Sequence, residues 1–397
     1  MNGVSSTGVA MSAQRWLGVG QAEGTEPEAG ARAAARALVH ADAKLLIVFC
    51  SGSRDLPAVL RQINDESGGV PLIGCSTAGE IAPNGSGQGS VVVTAIGGDG
   101  FSIGTAAANQ ASGDLRAAGA HVAACLSGTE DRAHRVLLLL TDGLAGDQRE
   151  ILRGVYGVVG AGIPLVGGCA GDDLKMTRTF QMHDDEVLTD SVVAAGIGSD
   201  APLGIGVRHG WRKVGEPMLV TASGGNRVHT LNGEPALDVY LDRLGAHASA
   251  YTNQEELSRL ALVHPLGLSR RDGEEEIRFI AGGDFAERSL SCIAEIPQAA
   301  LVWLMEGDAA SVLGAGTAAC NDSLEALEGH RPLGVLAFEC IGRRPVLGDQ
   351  GIQVEIDQIM KCTGGAPVAG FYTYGEIARK QGVIGFHNQT LVVLSVA

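Results

Sequence analysis

Two stretches decide the fold: Val70–Ile81, VPLIGCSTAGEI, and Ile163–Asp173, IPLVGGCAGDD. Each opens on a β-branched residue and a proline, runs through a short apolar segment and ends in small and polar residues. That is the pattern of a strand buried on both faces that leads into a tight turn. The residues before each stretch match as well. Leu45–Gly52 (LLIVFCSG) and Val136–Asp147 (VLLLLTDGLAGD) are apolar runs with small polar ends, and Leu56–Glu66 and Glu150–Gly160 read as helices. Strand, helix, strand with so short a crossover implies a parallel pair. Downstream, SVVVTAIGGDGFSIG from Ser90 is echoed by SVVAAGIGSDAPLGIG from Ser191, each a strand pair about a Gly/Asp turn. Four landmarks in one order predict two copies of one α/β unit, residues 30–125 and 126–220.

The flanks differ in texture. Residues 1–29 read as a leader, with Glu28–His40 (EAGARAAARALVH) as the first helix. After about residue 225 an Asn-Gly turn, a helix near Pro235, the charged segment SRRDGEEEIRF and alternating strands and helices follow. The predicted organisation is therefore an internally duplicated, mixed-sheet α/β domain over 30–225, then a smaller α+β domain over 226–397.

Composition restricts function. With 29 basic and 45 acidic residues, the net charge of −16 opposes binding to nucleic acid or to an anionic membrane. No apolar run approaches the roughly 20 residues that cross a bilayer, and no signal peptide is evident, so a cytoplasmic location is expected. Eight scattered cysteines form no C-x-x-C pair, which argues against a zinc site and for reduced, mostly buried thiols.

The paired strand-end loops are the candidate ligand site, since ligands in open α/β sheets sit beyond the strands' carboxyl ends. Gly74, Cys75, Ser76, Thr77 and Glu80 offer backbone donors, hydroxyls and a carboxylate. Gly168 and Asp172 stand in the matching loop. The bland reading is a tight turn whose glycines supply positive φ and whose hydroxyls cap a helix. Cys75 is also a candidate nucleophile, although no Cys/His signature accompanies it. Tyr374, Glu376, His387 and Asn388 form the densest polar group in the C-terminal part, suited either to an amino-acid ligand or to a buried network.

GCSTAGEI (Gly74–Ile81), IPLVGGCAGDD and HGWRKVGEPMLVT (His209–Thr221) resemble the N-terminal domain of the FIST family of signal-transduction sensors. GFYTYGEIA (Gly370–Ala378) and FHNQTLVVL (Phe386–Leu394) resemble the family's C-terminal domain. The resemblance implies a non-catalytic sensor for a small ligand such as an amino acid, which reports to a histidine kinase or a cyclic-dinucleotide enzyme. No kinase or cyclase segment is fused here, so output is expected through a partner; self-association is left open. One bacterial subgroup is described as haem-binding nitric oxide sensors, and for such a role His183 and then His209 are the candidate axial ligands. The rival readings are a cysteine-dependent enzyme using Cys75 and an adaptor without a ligand.

Overall fold

The computed structural model describes residues 15–24, 28–83, 85–87, 89–269, 275–380 and 385–397. The mixed α/β class expected from the sequence is what the chain adopts, and the repeat occurs three times. The first unit contains β1 (Trp16–Ala22), β2 (Ala43–Ser51), β3 (Leu72–Thr77), β4 (Glu80–Ala82), β5 (Gly85–Gly87) and β6 (Val91–Gly97). The second contains β7 (Phe101–Ala108), β8 (His134–Thr141), β9 (Leu165–Cys169), β10 (Gln181–His183), β11 (Glu186–Leu188) and β12 (Val192–Ser199). The third contains β13 (Leu203–Arg208), β14 (Gly334–Cys340), β15 (Val368–Thr373), β16 (Glu376–Arg379), β17 (Phe386–His387) and β18 (Leu391–Val396).

Each unit builds a sheet and lends its hairpin to a neighbour. The six-stranded sheets run β1-β6-β2-β3-β10-β11, β7-β12-β8-β9-β16-β17 and β13-β18-β14-β15-β4-β5. Among the described residues only β2/β3, β8/β9 and β14/β15 are parallel, and the crossovers predicted the first two. The exchange is cyclic. Gln181 pairs with Cys75, Glu376 with Gly168 and Glu80 with Phe371, so one structural position recurs three times.

The sheets enclose a common core as a three-sided prism. Phe49, Leu138, Leu140, Val166, Phe338, Phe371 and Val392 meet there, with the rings of Phe49 and Phe371 4.7 Å apart. Helices cover the outer faces: α1 (Ala29–Ala37) and α2 (Leu56–Ser67), α3 (Leu115–Ala123) and α4 (Gln148–Val159), then α5 (Ala309–Glu325) and α6 (Arg344–Cys362). Burial on both faces is why the central strands read as unbroken apolar runs.

Two expectations about the flanks change. Residues 1–14 of the expected leader lie outside the described residues, but Trp16–Ala22 is an edge strand paired along its length with β6. Its alternation is hidden by Gly18 and Gly20, where a Cβ would lie 2.1 Å from Ala37 O and 1.9 Å from Ala33 O of α1. At the other flank, the expected boundary near residue 225 falls in a turn. Strands Arg212–Gly224 and Arg227–Leu231 pair across it, Gly224 facing Arg227. They open an inserted domain that interrupts the third unit between β13 and α5 and ends with strand Leu301–Glu306. The Asn232–Gly233 turn, both residues at positive φ, leads into helix Ala236–Arg243 as the sequence predicts. Leu266–Ser269 and Glu275–Arg278 make the charged hairpin. The inserted domain has its own core, including Met218, Tyr240, Leu257 and Leu304, and packs on one end of the prism.

Candidate functional site

The parallel strands end at a closed ring of backbone bonds. Ala78 N–H donates to Tyr372 O at 3.1 Å, Tyr374 N–H to Cys169 O at 3.1 Å and Gly171 N–H to Ser76 O at 2.9 Å. Each unit thus bonds to the next, and the expected pairing of the two strand-end loops extends to a third, around Thr373–Glu376.

Within this end the first set of candidate residues is packed into the body. Ser76 Oγ donates to Gly171 O (2.7 Å) and accepts from Phe180 N–H (2.9 Å). Thr77 Oγ1 donates to Glu80 Oε1 at 2.6 Å, while Glu80 Oε2 accepts from the N–H and Oγ of Ser90, both at 3.0 Å. The third unit repeats this staple. Glu376 Oε1 accepts from Thr373 Oγ1 at 2.5 Å, and its Oε2 accepts from Thr390 N–H and Oγ1 at 3.1 and 2.8 Å. Both carboxylates are fully buried and their oxygens are engaged inside the protein. Gly74 and Gly168 sit where strands approach closely; a Cβ at Gly168 would lie 2.6 Å from Thr373 Cγ2. Cys75 lies in the central core, where burial and the neighbouring Cys50 and Cys169 push its thiol well above the ordinary range. A thiol held protonated is a poor nucleophile.

Burial likewise pushes Glu376 up to about 7, against the opposing bonds from Thr373 and Thr390. The sign follows from linkage: the folded state holds a proton that the unfolded state has lost, so stability falls as pH rises from about 4.3 through 7. In the second unit the equivalent residue is Gln181, so an amide is tolerated there. Glu376→Gln is expected to remove this residue's share of the slope, its stability relative to wild type rising by of order 3 kcal/mol between pH 4 and 8. Denaturation at matched pH values checks this; parallel curves for the two proteins would contradict it.

The second unit departs from its siblings by an insertion, residues 172–179, and this insertion creates the cleft. Asp172 organises it. Its carboxylate accepts from Met176 N–H (2.9 Å), Thr177 N–H (2.7 Å), Thr177 Oγ1 (3.1 Å) and Arg178 N–H (2.9 Å). Tyr374 Oη donates to Asp172 Oδ1 at 2.5 Å and accepts from Leu174 N–H at 2.8 Å. Burial acts to raise the pKa of Asp172, but the tyrosine hydroxyl and three backbone N–H groups together outweigh it and hold the carboxyl below its usual value. The loop is kept in an uncommon shape, with Asp173, Leu174 and Met176 all at positive φ.

Between this loop and the inserted domain lies a cleft of about 160 Å³. The prism contributes Leu174, Met176, Cys340, Ile341, Gly342, Pro345, Tyr374 and Asn388; the inserted domain contributes Leu262, Phe279 and Ile293. Of the candidate residues, Tyr374 and Asn388 line it and Asp172 shapes its loop. Glu376 stands one residue behind, hydrogen-bonded to Cys340. His387 does not line the cleft; its Nε2 is 2.9 Å from Ala378 O in the β16–β17 hairpin. The apolar pair Leu174 and Met176 in an otherwise polar segment was the available signal for the loop. Nothing local marks Leu262, Phe279 or Ile293.

The two candidate axial histidines lie elsewhere. His183 is on β10 opposite Ile73, with Nδ1 3.8 Å from Asp184 and a buried, unpartnered Nε2. His209 Nδ1 accepts from Trp211 N–H at 2.9 Å, and burial lowers its pKa to about 4, so it is neutral. Among the described residues no group of three or more His, Cys, Asp or Glu is placed to hold a metal ion, and no helix is long and apolar enough to cross a membrane.

A three-unit α/β prism with an inserted domain over its strand ends is the class that fold and site define. The FIST N domain model matches residues 44–234 and the FIST C domain model residues 236–379, and the chain belongs to the FIST family of signal-transduction sensor domains. The junction between the two models lies inside the inserted domain. An uncharacterized protein of Methanocaldococcus jannaschii is 27% identical over 248 residues, 57% of this chain and 47% of that protein. An uncharacterized Mycobacterium tuberculosis protein is 28% identical over 234 residues, 58% of this chain and 60% of its own length. The chain thus spans about half to three-fifths of these relatives. Among solved structures, a cyanuric acid hydrolase overlays 96% of this chain at 10% identity and a TM-score of 0.37, too loose a likeness to carry an argument.

Proposed function

We propose that the protein is a sensor of a small ligand, that the cleft beneath the inserted domain is its input site, and that the inserted domain passes the signal on. The observation that carries this reading is the cleft's double origin: its walls come from two separate cores. A ligand that contacts both bodies favours one relative placement, which is the differential affinity any switch requires. Other polar contacts between the described residues also join the two bodies. Gln389 Nε2 donates to Leu262 O at 3.4 Å, Trp211 Nε1 donates to Gln389 O at 3.2 Å, and Arg149 pairs with Glu295 at 3.1 Å. The altered surface then regulates a partner signalling enzyme, a histidine kinase or cyclic-dinucleotide enzyme in the family's manner.

Haem does not fit the size of this cleft. Its volume of about 160 Å³ is below the roughly 300–1,000 Å³ of drug-sized sites, and the side chains in its wall of a kind that ligates iron, Met176, Cys340 and Tyr374, include no histidine. A visible absorption band in protein prepared with haem, lost in Ile293→Trp, would overturn that statement. The direct test of the cleft is a thermal-shift series with small apolar probes. Toluene is expected to raise the melting temperature of wild type and leave Ile293→Trp, which fills the mouth from a partly exposed position, unmoved. Equal shifts in both proteins would remove the cleft as the site.

A further inference from the structure

The polar groups of the cleft select the ligand's chemistry, an inference that rests on the cleft being the input site. No charged side chain lines it. Of its polar side chains, Tyr374 is engaged by Asp172 and Leu174, and Cys340 by Glu376. Asn388 is different. It is 98% buried, being 2% exposed, and its Oδ1 has no hydrogen-bond partner. The neighbouring Gln389 is also buried with an unpartnered Oε1, against the wall formed by Leu262 and Gly342. Buried polar atoms are nearly always paired, and the residue that carries this unpaired oxygen also lines the cleft, which calls for a partner from outside the chain.

We propose that the ligand is a small, neutral, largely apolar molecule bearing a carboxamide or lactam, whose N–H is received by Asn388 Oδ1. An asparagine side chain presents an acceptor and a donor side by side, and a ligand amide presents the complementary pair. The apolar walls take the rest of the molecule, of about the size of one aromatic ring: a cavity of roughly 150 Å³ holds benzene. Ionised ligands are disfavoured for the same reason. A free amino acid brings two charges into a site that offers no counter-charge, and burying an unpaired charge is costly. The amino-acid ligand considered from the sequence is therefore replaced by an uncharged amide.

Titration of the full chain with benzamide, benzoate, toluene and leucine tests this. Benzamide is expected to bind at least tenfold more tightly than benzoate, with no saturable binding of leucine. Asn388→Leu exchanges an unsatisfied amide for an apolar group of similar size, so it keeps the fold. It is expected to weaken benzamide about tenfold and to leave toluene unchanged. If benzoate binds as well as benzamide, or if Asn388→Leu leaves benzamide untouched while toluene still binds, the amide assignment is overturned and the cleft stands. If no probe binds, or if all bind Ile293→Trp as they bind wild type, the cleft and the assignment fall together.

Discussion

Gly370→Ala is expected to lower the stability of the protein by about 4 kcal/mol or more, at the extreme of what single substitutions do. A Cβ at this position would lie 1.9 Å from Ala337 O and 2.7 Å from its carbonyl carbon, both backbone atoms of the adjacent parallel strand. The strands have nowhere to go. Ala337 is paired on its other side with Val393, and Gly370 with Ile81 of the borrowed hairpin. Gly167 and Gly74 occupy the same position in the other units, 1.9 Å from Leu139 O and 2.6 Å from Val48 O. A glycine is thus required at the same place in all three copies. Gly157→Ala is the contrast: this helical glycine has open space around a Cβ, and alanine there is expected to stabilise by about 1 kcal/mol. Calorimetry of the two variants beside wild type reads both effects. A melting temperature for Gly370→Ala near that of wild type would contradict the strand geometry.

Asp172→Ala is expected to release the loop that forms the cleft. It removes one buried acceptor of three backbone N–H groups and two hydroxyls, and hydrogen bonds to charged groups contribute roughly 1.5–3 kcal/mol each without adding in full. A loss of about 3 kcal/mol is expected, together with loss of toluene and benzamide binding, since Leu174 and Met176 hold their positive φ only while the loop is stapled. Tyr374→Phe removes one arm of the staple and is expected to be milder in both respects. In wild type the contribution of Asp172 is fully present above the unfolded carboxyl pKa of about 3.9 and is lost as pH falls through its lower folded value. The cleft should therefore persist at neutral pH and open only in strong acid. Full probe binding by Asp172→Ala would show that the loop is not the wall described here.

The strand-and-turn character of VPLIGCSTAGEI and IPLVGGCAGDD was legible because apolar runs buried on both faces carry their own signal. The third copy was legible only in part. GFYTYGEIA carries the same Thr-x-Gly-Glu staple as CSTAGEI, but the inserted domain separates LGIGVR of β13 from GVLAFEC of β14, and that gap breaks the order by which a repeat is recognised. Trp16–Ala22 was hidden because helix packing demands glycine at Gly18 and Gly20, where an alternating strand would show apolar residues. At the site, sequence placed Asp172, Tyr374 and Asn388 among the candidates for their polarity, and the fold brings them together. It grouped Ser76, Thr77 and Glu80 with them, whereas the chain uses these internally to fasten the borrowed hairpin. The cleft's apolar walls had no local signature, because Leu262, Phe279 and Ile293 reach it only through the docking of one core on another.

Hydrogen exchange with and without benzamide tests most directly the claim that one ligand joins the two bodies. The account predicts slowed exchange in residues 172–180, 341–345 and 388–390 of the prism and, at the same ligand concentration, in residues 277–293 of the inserted domain, with all of it lost in Ile293→Trp. Protection confined to one body, or centred instead on residues 74–80, would contradict it.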